Sequence, residues 1–303
     1  MKLNALLSAA MAALLVPVGA IAAGGPGPAA PAATQFKVGA LRVTSLADGV
    51  YVLPNDGTIF GADVGPSAVA EVLKAAQAPT DQITLPVDAL LVRDGSHLVL
   101  IDTGLGPKVG GVLLESLKLA GVTAAQVTDV LITHPHPDHI GGLLTNAGDS
   151  AFPHAKIWFS AIDWAALQTQ PGMAELTKAI GPQVAPFDTG AKVTPSITSV
   201  PLKGHTPGHV GYEIVSGSSR LLDIGDAAHS AIISLQKPEW TMGFDSEPQV
   251  AKDNRRATLT RLAASHETIF APHFPYPGIG TVATAGEAFA WRPAVEADGA
   301  PRK

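Results

Sequence analysis

The feature that most restricts how this chain can fold is the segment 133–142, which reads Thr-His-Pro-His-Pro-Asp-His-Ile-Gly-Gly. Each proline pushes the histidine before it toward an extended backbone, so His134 and His136 point the same way and can hold one metal ion. Asp138 and His139 follow where the chain turns, and their different direction suits a second ion. A polar turn with scattered histidines is the alternative interpretation. The density of imidazoles favours a metal site.

Strand and helix patterns alternate on both sides of this segment, in two halves that each deliver polar residues at strand ends. The predicted strands are 43–53, 89–92, 97–101, 127–133, 156–159, 197–201, 210–215, 220–224 and 268–271. The predicted helices are 66–76, 109–120, 161–167 and 249–264. Two Pro/Gly-rich loops, 171–190 and 274–281, are predicted to face the substrate.

The N-terminus has the pattern of a secretory signal. Residues 1–22 combine Lys2, an apolar run and a small-x-small cleavage site. An uncleaved tether is the alternative. Residues 23–34 are rich in Ala, Gly and Pro and are predicted to be a disordered leader, and residues 35–303 are predicted to be one folded domain. We therefore expect a periplasmic or secreted protein with no membrane span after signal removal.

Charge and cysteine content narrow the function. The formal net charge is −6, and it becomes −7 without residues 1–22 because Lys2 is the only charge there. An acidic chain without a basic run disfavours nucleic acid as a partner. The chain has no cysteine, so metal ligands must be nitrogen or oxygen and no disulfide can form.

The pattern His-x-His-x-Asp-His resembles the metallo-β-lactamase superfamily of hydrolases. Members carry three further ligands in a fixed order, and His205, Asp226 and His273 occupy the matching order and context here. The similarity runs from residue 43 to about residue 293. It implies an α+β fold for 35–303, the metallo-β-lactamase four-layer αβ/βα sandwich, with the metals along one edge.

The resemblance also implies a ligand set for two divalent ions. His134, His136 and His205 hold the first ion, Asp138, His139 and His273 hold the second, and Asp226 bridges them. Zinc is expected, with Mn, Fe and Co as alternatives. Two such ions can hold a bridging hydroxide near neutral pH and polarise a substrate oxygen, which suits attack on a carbonyl or phosphoryl centre.

The aspartate at 226 indicates the subclass. The β-lactamases of the superfamily have cysteine or serine near that place, whereas lactonases, glyoxalase II-like thioesterases and organophosphate triesterases have a bridging carboxylate. Longer similarities at 46–49, 101–104 and 272–280 look like the methyl parathion hydrolase family, which includes quorum-quenching lactonases. The expected function is an exported dinuclear hydrolase of a small-molecule lactone, aryl ester or phosphotriester.

Some positions depart from that family. Three residues beyond Asp226, where many lactonases have tyrosine, this chain has His229, which is predicted to protonate the leaving oxygen. A packed histidine is the alternative. Asp138 is the second predicted catalytic residue. The segment after Gly104 lacks the phenylalanine of the methyl parathion hydrolase leaving-group pocket, and Trp164 is a candidate replacement.

Other polar and aromatic residues have simpler expected roles. Asp102 is expected to orient a ligand histidine, with a buried turn aspartate as the alternative. His209 is expected to be structural and not a ligand. Four aromatic residues could each line a pocket or belong to the core: Trp240, Phe244, Phe274 and Tyr276.

Several other functions stay open from the sequence. The second hydrolase interpretation is a glyoxalase II-like thioesterase or a β-lactamase-like enzyme. A di-iron redox protein shares the fold but normally adds a flavin domain and more carboxylate ligands. A non-catalytic binding protein is the last alternative, and a homodimer is an open option for the oligomeric state.

Overall fold

The computed structural model describes residues 25–294, which form fourteen strands and seven α-helices. The strands are β1 (Gly25–Pro28), β2 (Ala33–Val38), β3 (Leu41–Pro54), β4 (Gln82–Asp94), β5 (His97–Ile101), β6 (Asp129–Leu131), β7 (Lys156–Ser160), β8 (Val184–Phe187), β9 (Ile197–Pro201), β10 (Val210–Ser216), β11 (Ser219–Asp223), β12 (Thr268–Phe270), β13 (Ile279–Ala285) and β14 (Ala288–Pro293). The helices are α1 (Pro66–Ala75), α2 (Leu113–Leu119), α3 (Pro137–Ile140), α4 (Ala161–Thr169), α5 (Ala174–Ile180), α6 (Ile233–Gln236) and α7 (Pro248–Ser265).

The strands form two mixed sheets, one from each half of the chain. The first has the order β1-β3-β4-β5-β6-β7-β8, with β2 also paired to β3. Its strands β5 to β8 run parallel, so their carboxyl ends lie at the same edge. The second has the order β14-β13-β12-β11-β10-β9, and β11 and β12 are its parallel pair. Parallel strand ends in both sheets can therefore present loops to a common site.

Three groups of buried side chains show how the layers pack. Between the sheets, Val92 of β4 and Tyr212 of β10 belong to one core. The outer face of the first sheet is covered by α2, α4 and α5, with Leu117 fully buried. The outer face of the second sheet is covered by α7 through Leu262. The predicted four-layer αβ/βα sandwich is confirmed.

The prediction of a disordered leader over 23–34 is wrong for the residues that the structure describes. Strand β1 pairs antiparallel with β3, with Gly25 opposite Val52, and β2 begins at Ala33 opposite Leu46. Backbone pairing needs no large side chains, and proline is tolerated on an edge strand, so the composition gave no sign of these strands. The predicted signal peptide, 1–22, lies outside the described residues.

Two other segments differ from the predictions. The predicted loop 171–190 contains α5 and β8, because Leu176 and Ile180 lie one helical turn apart and pack against the first sheet. The predicted helix 109–120 begins only at Leu113, since Gly110 adopts a left-handed conformation with φ 87°. Within residues 25–294, no helix has the length and apolar character needed to cross a membrane.

Candidate metal centre

The seven predicted ligands lie in loops and short turns that follow strands. The segment 134–139 follows β6, His205 lies between β9 and β10, Asp226 follows β11, and His273 follows β12. The structure brings all of these side chains together in two groups. His134, His136, His205 and Asp226 form one group and Asp138, His139 and His273 the other, and the ligand atoms of each group lie within 4.8 Å of one another.

Asp226 lies between the two groups and turns one oxygen toward each. Its Oδ2 is 3.2 Å from Nε2 of His205 and 3.5 Å from Nε2 of His134. Its Oδ1 is 3.2 Å from Nε2 of His139 and 3.2 Å from Nε2 of His273. This is the position that a bridging carboxylate needs.

Asp102 orients the metal segment, residues 133–142, as the sequence predicts. Nδ1 of His139 lies 2.7 Å from Oδ2 of Asp102, and the same carboxylate accepts hydrogen bonds from the backbone and the hydroxyl of Thr133 at 2.8 and 2.7 Å. Asp102 has a positive φ of 59°, a conformation that aspartate tolerates better than most residues. With Nδ1 held by Asp102, Nε2 of His139 is the ring atom on the side of Asp226 and is the one that could bind a metal ion.

His205 has a second carboxylate behind it that the sequence did not reveal. Nδ1 of His205 lies 3.0 Å from Oδ1 of Asp245, and the other oxygen of Asp245 accepts a hydrogen bond from Arg255 at 2.8 Å. Asp245 lies in a loop far along the chain and carries no motif. Arg255 did leave a signal, because in α7 it shares the buried face with Ala251 and Leu262, where a charged residue needs a partner.

His209 has a structural role, in agreement with its predicted one. Its Nδ1 donates to the carbonyl of Leu202 at 2.6 Å, and its Nε2 accepts a hydrogen bond from the backbone N–H of Asp226 at 3.1 Å. Both ring nitrogens are therefore occupied. His209 holds the backbone of the central aspartate and leaves the centre itself to His205.

The inner surface of this cluster fits a cation. Nε2 of His205 lies 2.8 Å from Nδ1 of His136 and 3.1 Å from Nε2 of His134, so three ring nitrogens converge. Oδ1 of Asp226 and Nε2 of His139 are buried and have no hydrogen-bond partner among the described residues. Buried polar atoms are almost always satisfied in native proteins, and a divalent cation bound by nitrogen and carboxylate donors would satisfy these.

The electrostatics of the cluster agree with this fit. Burial lowers the pKa of His134 well below its usual value and, together with His205, lowers that of His136 to about 4. Burial alone would raise the pKa of Asp226, but the surrounding histidines, His139 first, hold it well below the usual range. Burial alone would lower the pKa of His139, His205 and His273, but Asp226 raises all three, that of His139 well above its usual value and that of His273 to about 9. The cluster thus contains an ionised carboxylate that draws protons onto the histidines facing it, while His134 and His136 stay neutral. A divalent cation would take the place of those protons, because a histidine binds a metal in its neutral form and metal binding releases protons.

A cavity of about 290 Å³ lies directly over the two groups. Its lining comprises His136, Asp138, Asp226 and His273 from the groups, together with Tyr51, Leu85, Pro137, His229 and Phe244. Burial raises the pKa of Tyr51, and Asp138 and Asp226 raise it further, so its hydroxyl stays protonated at neutral pH. The sequence did not mark Tyr51 or Leu85, because one apolar or aromatic residue in a strand looks like core.

His229 lies where the sequence predicts a catalytic residue. Its Nε2 is 3.1 Å from Oδ2 of Asp226, and within residues 25–294 neither ring nitrogen makes a hydrogen bond. Burial lowers the pKa of His229, so the ring is neutral near pH 7 and carries one N–H. A buried, unpartnered donor that lines the cavity is well placed to meet a substrate oxygen.

The predicted aromatic candidates divide between cavity and core. Phe244 lines the cavity. Phe274 is fully buried, and the hydroxyl of Tyr276 donates to Thr34 away from the metal groups. The proposed pocket wall at Trp164 is wrong, because that side chain is buried in the core under α4, where the apolar face of the helix packs against the first sheet.

Two loops beside the site touch backbone to backbone. The N–H and the hydroxyl of Thr103 both donate to the carbonyl of His139, at 2.8 and 2.9 Å. A Cβ atom on Gly141 would collide with the carbonyl of Leu105, and one on Gly106 would collide with the carbonyl of Gly141. Only glycine permits this approach, which fixes the metal segment against the loop after β5.

Two helix-flanked sheets with a His/Asp cluster at their strand ends are typical of one class of metallohydrolases. Residues 83–273 match the model of the metallo-beta-lactamase superfamily, and the chain belongs to this superfamily. The resemblance predicted from the sequence is therefore confirmed.

Similar proteins include lactonases and other hydrolases. The structure of AidC, a dizinc quorum-quenching lactonase in complex with a product, is 28% identical with a TM-score of 0.82 and covers 87% of this chain and 97% of that chain. The structure of the hydrolase AbOPH is 28% identical with a TM-score of 0.79, covering 88% and 98%. Metallo-beta-lactamase domain-containing protein 1 of Xenopus laevis is 36% identical over 56% of this chain and 62% of its own length. The uncharacterized protein YobT of Bacillus subtilis is 29% identical over 42% and 56%. The chain thus spans less than two thirds of these two curated relatives.

Proposed function

We propose that this protein is an exported dinuclear metal-dependent hydrolase of a small lactone, aryl ester or phosphotriester. The observation that carries the proposal is the pair of ligand groups sharing Asp226 beneath a cavity of about 290 Å³. Export rests on the signal pattern of residues 1–22 alone.

Two divalent ions would occupy the two groups, and zinc is the ion proposed. The donor set is rich in imidazole and has no cysteine, which suits zinc and also Mn, Fe or Co. When bound, such a pair activates a water molecule and polarises a substrate oxygen. The similar lactonase AidC is described as a dizinc protein, which supports zinc here.

Side chains of the protein supply proton transfer and the apolar walls of the cavity. The carboxylate of Asp138 lines the cavity and is 14% exposed, so it can accept a proton from the attacking water. His229 carries one N–H at neutral pH, which it can donate to the oxygen that leaves. Leu85 and Phe244 exclude water from the cavity above the reacting centre. A nucleophilic serine is not needed for this chemistry.

A lactone is the leading substrate within this class. Support comes from the similarity to a quorum-quenching lactonase that covers 87% of this chain. An aryl ester or phosphotriester offers the same electrophilic centre to the same attack, so both stay within the proposal. The glyoxalase II-like thioesterase remains the alternative, whereas no observation favours a di-iron redox or a purely binding role. A homodimer and the lack of a nucleic-acid partner remain predictions.

The test combines metal analysis with a substrate panel. The mature protein, expressed with added zinc, is assayed on hexanoyl-homoserine lactone, p-nitrophenyl acetate and a dialkyl nitrophenyl phosphate. We expect hydrolysis of at least one of them, loss of activity on chelation and recovery with zinc. His134→Ala should abolish activity, whereas His154→Ala, at an exposed position away from the site, should not. Bound metal without hydrolysis of any of the three would contradict the proposal.

A further inference from the structure

A second cavity opens directly beside the one over the metal groups. It measures about 320 Å³ and shares two lining residues, Tyr51 and Pro137, with the first cavity. Both spaces therefore border these two side chains. We call the second one the side groove.

The side groove is mostly apolar. Its walls include Leu105, Val109, Ile140, Leu144, Met173 and Leu176, which come from the loop after β5, the metal segment and the region of α5. Lys108 is the one charged residue in its lining, and this side chain is exposed. Such a surface has little to offer a polar ligand group and favours aliphatic chains.

Strand β1 closes the outer side of the groove. Pro26 belongs to the lining and lies directly opposite Tyr51 in the register of β1 and β3. Pro26 thus forms part of the wall of the groove beside Tyr51. This residue lies in the region that composition predicted to be a disordered leader.

We propose that the side groove binds an unbranched aliphatic arm of the substrate, which passes Tyr51 and Pro137 and lies under strand β1. The proposal rests on the proposed hydrolase function, since the reacting centre must lie over the metal groups. It makes β1 and Val109 determinants of substrate chain length. The arm can be carried on the acyl side or on the alkoxide side of the scissile bond.

The first test uses the metal-loaded enzyme and p-nitrophenyl esters from acetate to octanoate. Burying one methylene contributes about fourfold in kcat/KM, so the wild type should gain about fourfold per added methylene. Val109 is 46% exposed, so Val109→Trp should fill the groove without disturbing the core. We expect it to lower kcat/KM for the octanoate at least about tenfold and for the acetate less than about twofold, by the same estimate.

A matched control separates groove filling from a general effect of surface tryptophan. Val250 is 40% exposed on α7 and does not line the groove, so Val250→Trp should leave the whole ester series unchanged. Pro26→Trp tests the contribution of β1 in the same way, with Val250→Trp again as its control. Circular dichroism and metal content confirm that each variant is folded and loaded.

A second substrate series identifies the side that carries the arm. Butyrolactones with alkyl chains on the alkoxide carbon place the arm on the leaving side, and the esters place it on the acyl side. The proposal is supported if kcat/KM rises with chain length in either series and if Val109→Trp, but not Val250→Trp, abolishes this rise. If hydrolysis is metal-dependent but kcat/KM does not change with chain length in either series, the proposed role of the side groove is wrong and the proposed hydrolase function stands. A lack of hydrolysis across both series and the panel above would overturn the proposed function as well.

Discussion

The orientation of His205 depends on one carboxylate that is not a metal ligand. Asp245 is buried and accepts from Nδ1 of this histidine at 3.0 Å. Removing such a partner typically lowers metal affinity about 10–100-fold, because the ring loses its fixed direction. We therefore expect Asp245→Ala to lower zinc affinity by this amount, measured by chelator competition.

Glu247→Ala provides the comparison for this variant. Glu247 lies two residues further along, and its side chain is exposed. Its backbone N–H donates to the carbonyl of Gly204, next to His205, and the substitution leaves this hydrogen bond in place. The zinc affinity of Glu247→Ala should equal that of the wild type. An unchanged affinity in Asp245→Ala would show that His205 is held by packing alone.

His205 and His209 differ by four positions but should respond differently to substitution. His205→Ala removes a donor to the proposed first ion, and we expect activity to fall by orders of magnitude with loss of bound metal. His209→Ala removes two hydrogen bonds to backbone, one of them to Asp226, so a smaller loss of activity and a loss of stability of about 1–3 kcal/mol are expected. Elemental analysis and urea unfolding distinguish the two. Equal metal loss in both variants would mean that the ligand assignment is wrong.

The rate loss on replacing His229 should depend on how much the leaving group needs to be protonated. If its N–H is donated to the leaving oxygen, His229→Ala should slow lactone opening by about 10²–10⁴-fold and nitrophenyl ester hydrolysis far less. Metal content should not change, because His229 is not a proposed ligand. His154→Ala is the control, since that histidine is exposed. Equal losses on both substrates would reduce His229 to a packing residue.

Single residues were predictable where the chemistry of the local sequence restricts their role. Two prolines and three histidines within 134–139 allow few other interpretations, and the structure places these residues together. Asp245 was not predictable, because an isolated aspartate in a loop looks like any solvated charge. Tyr51 reaches the cavity only because β3 passes beside the metal groups, and that depends on how the two sheets pack.

Helix α7 is tied to the loops around the candidate metal centre through one buried guanidinium. Arg255 donates to Asp245 and to the carbonyls of Ala227, Pro238 and Trp240. Arg255→Met would leave the carboxylate of Asp245 buried without its charge partner. Breaking a buried pair in this way costs about 3–5 kcal/mol. We expect that loss in the free energy of unfolding measured in urea.

The neighbouring arginine is a natural comparison. Arg256 is about half exposed and pairs with Glu239 at 3.0 Å on the surface. Exposed pairs contribute about 0–1 kcal/mol, so Arg256→Met should hardly change the unfolding midpoint. Similar losses in both variants would argue that α7 is destabilised by the loss of any arginine and not by the unpaired Asp245.

Strand β13 was missed, and its first three residues fell in the predicted loop 274–281. Strands β9 to β12 and helix α7 were predicted nearly at their observed bounds. These elements bury a defined face, and a buried face leaves a periodic pattern in the sequence. Strand β1 has no such pattern, because it is held by backbone hydrogen bonds to β3. Elements stabilised mainly through their backbone stay hidden from arguments based on side chains.

The candidate metal centre lies where the two halves of the molecule meet. The ligands at 134–139 come from the half that builds the first sheet, and His205, Asp226 and His273 come from the half that builds the second. Ions bound there would connect the sheets and stabilise the folded chain by mass action. We expect close to two zinc ions per chain by elemental analysis and a lower Tm after chelation that zinc restores.

The stoichiometry and the Tm test different parts of this prediction. One ion per chain would contradict the dinuclear centre, and an unchanged Tm after complete metal removal would show that the sheets hold together without it. Magnesium addition is the control for ionic strength, since this nitrogen-rich donor set should not favour it.

The four-layer arrangement followed from the superfamily resemblance, which the family match and the facing cores confirm. Patterning alone predicted alternating strands and helices in two halves. It could not predict that β1 and β2 extend the first sheet, since edge pairing depends on open backbone groups and not on composition.

The contact between Gly106 and Gly141 determines where the protein can change its preferences. A library of variants selected for new substrates should fail wherever it introduces a side chain at Gly106 or Gly141, because neither backbone has room to retreat. Diversity is better concentrated at Val109 and Met173, where side chains border open space. Over evolutionary time, the same division would keep these two glycines nearly constant while Val109 and Met173 change with the available substrates.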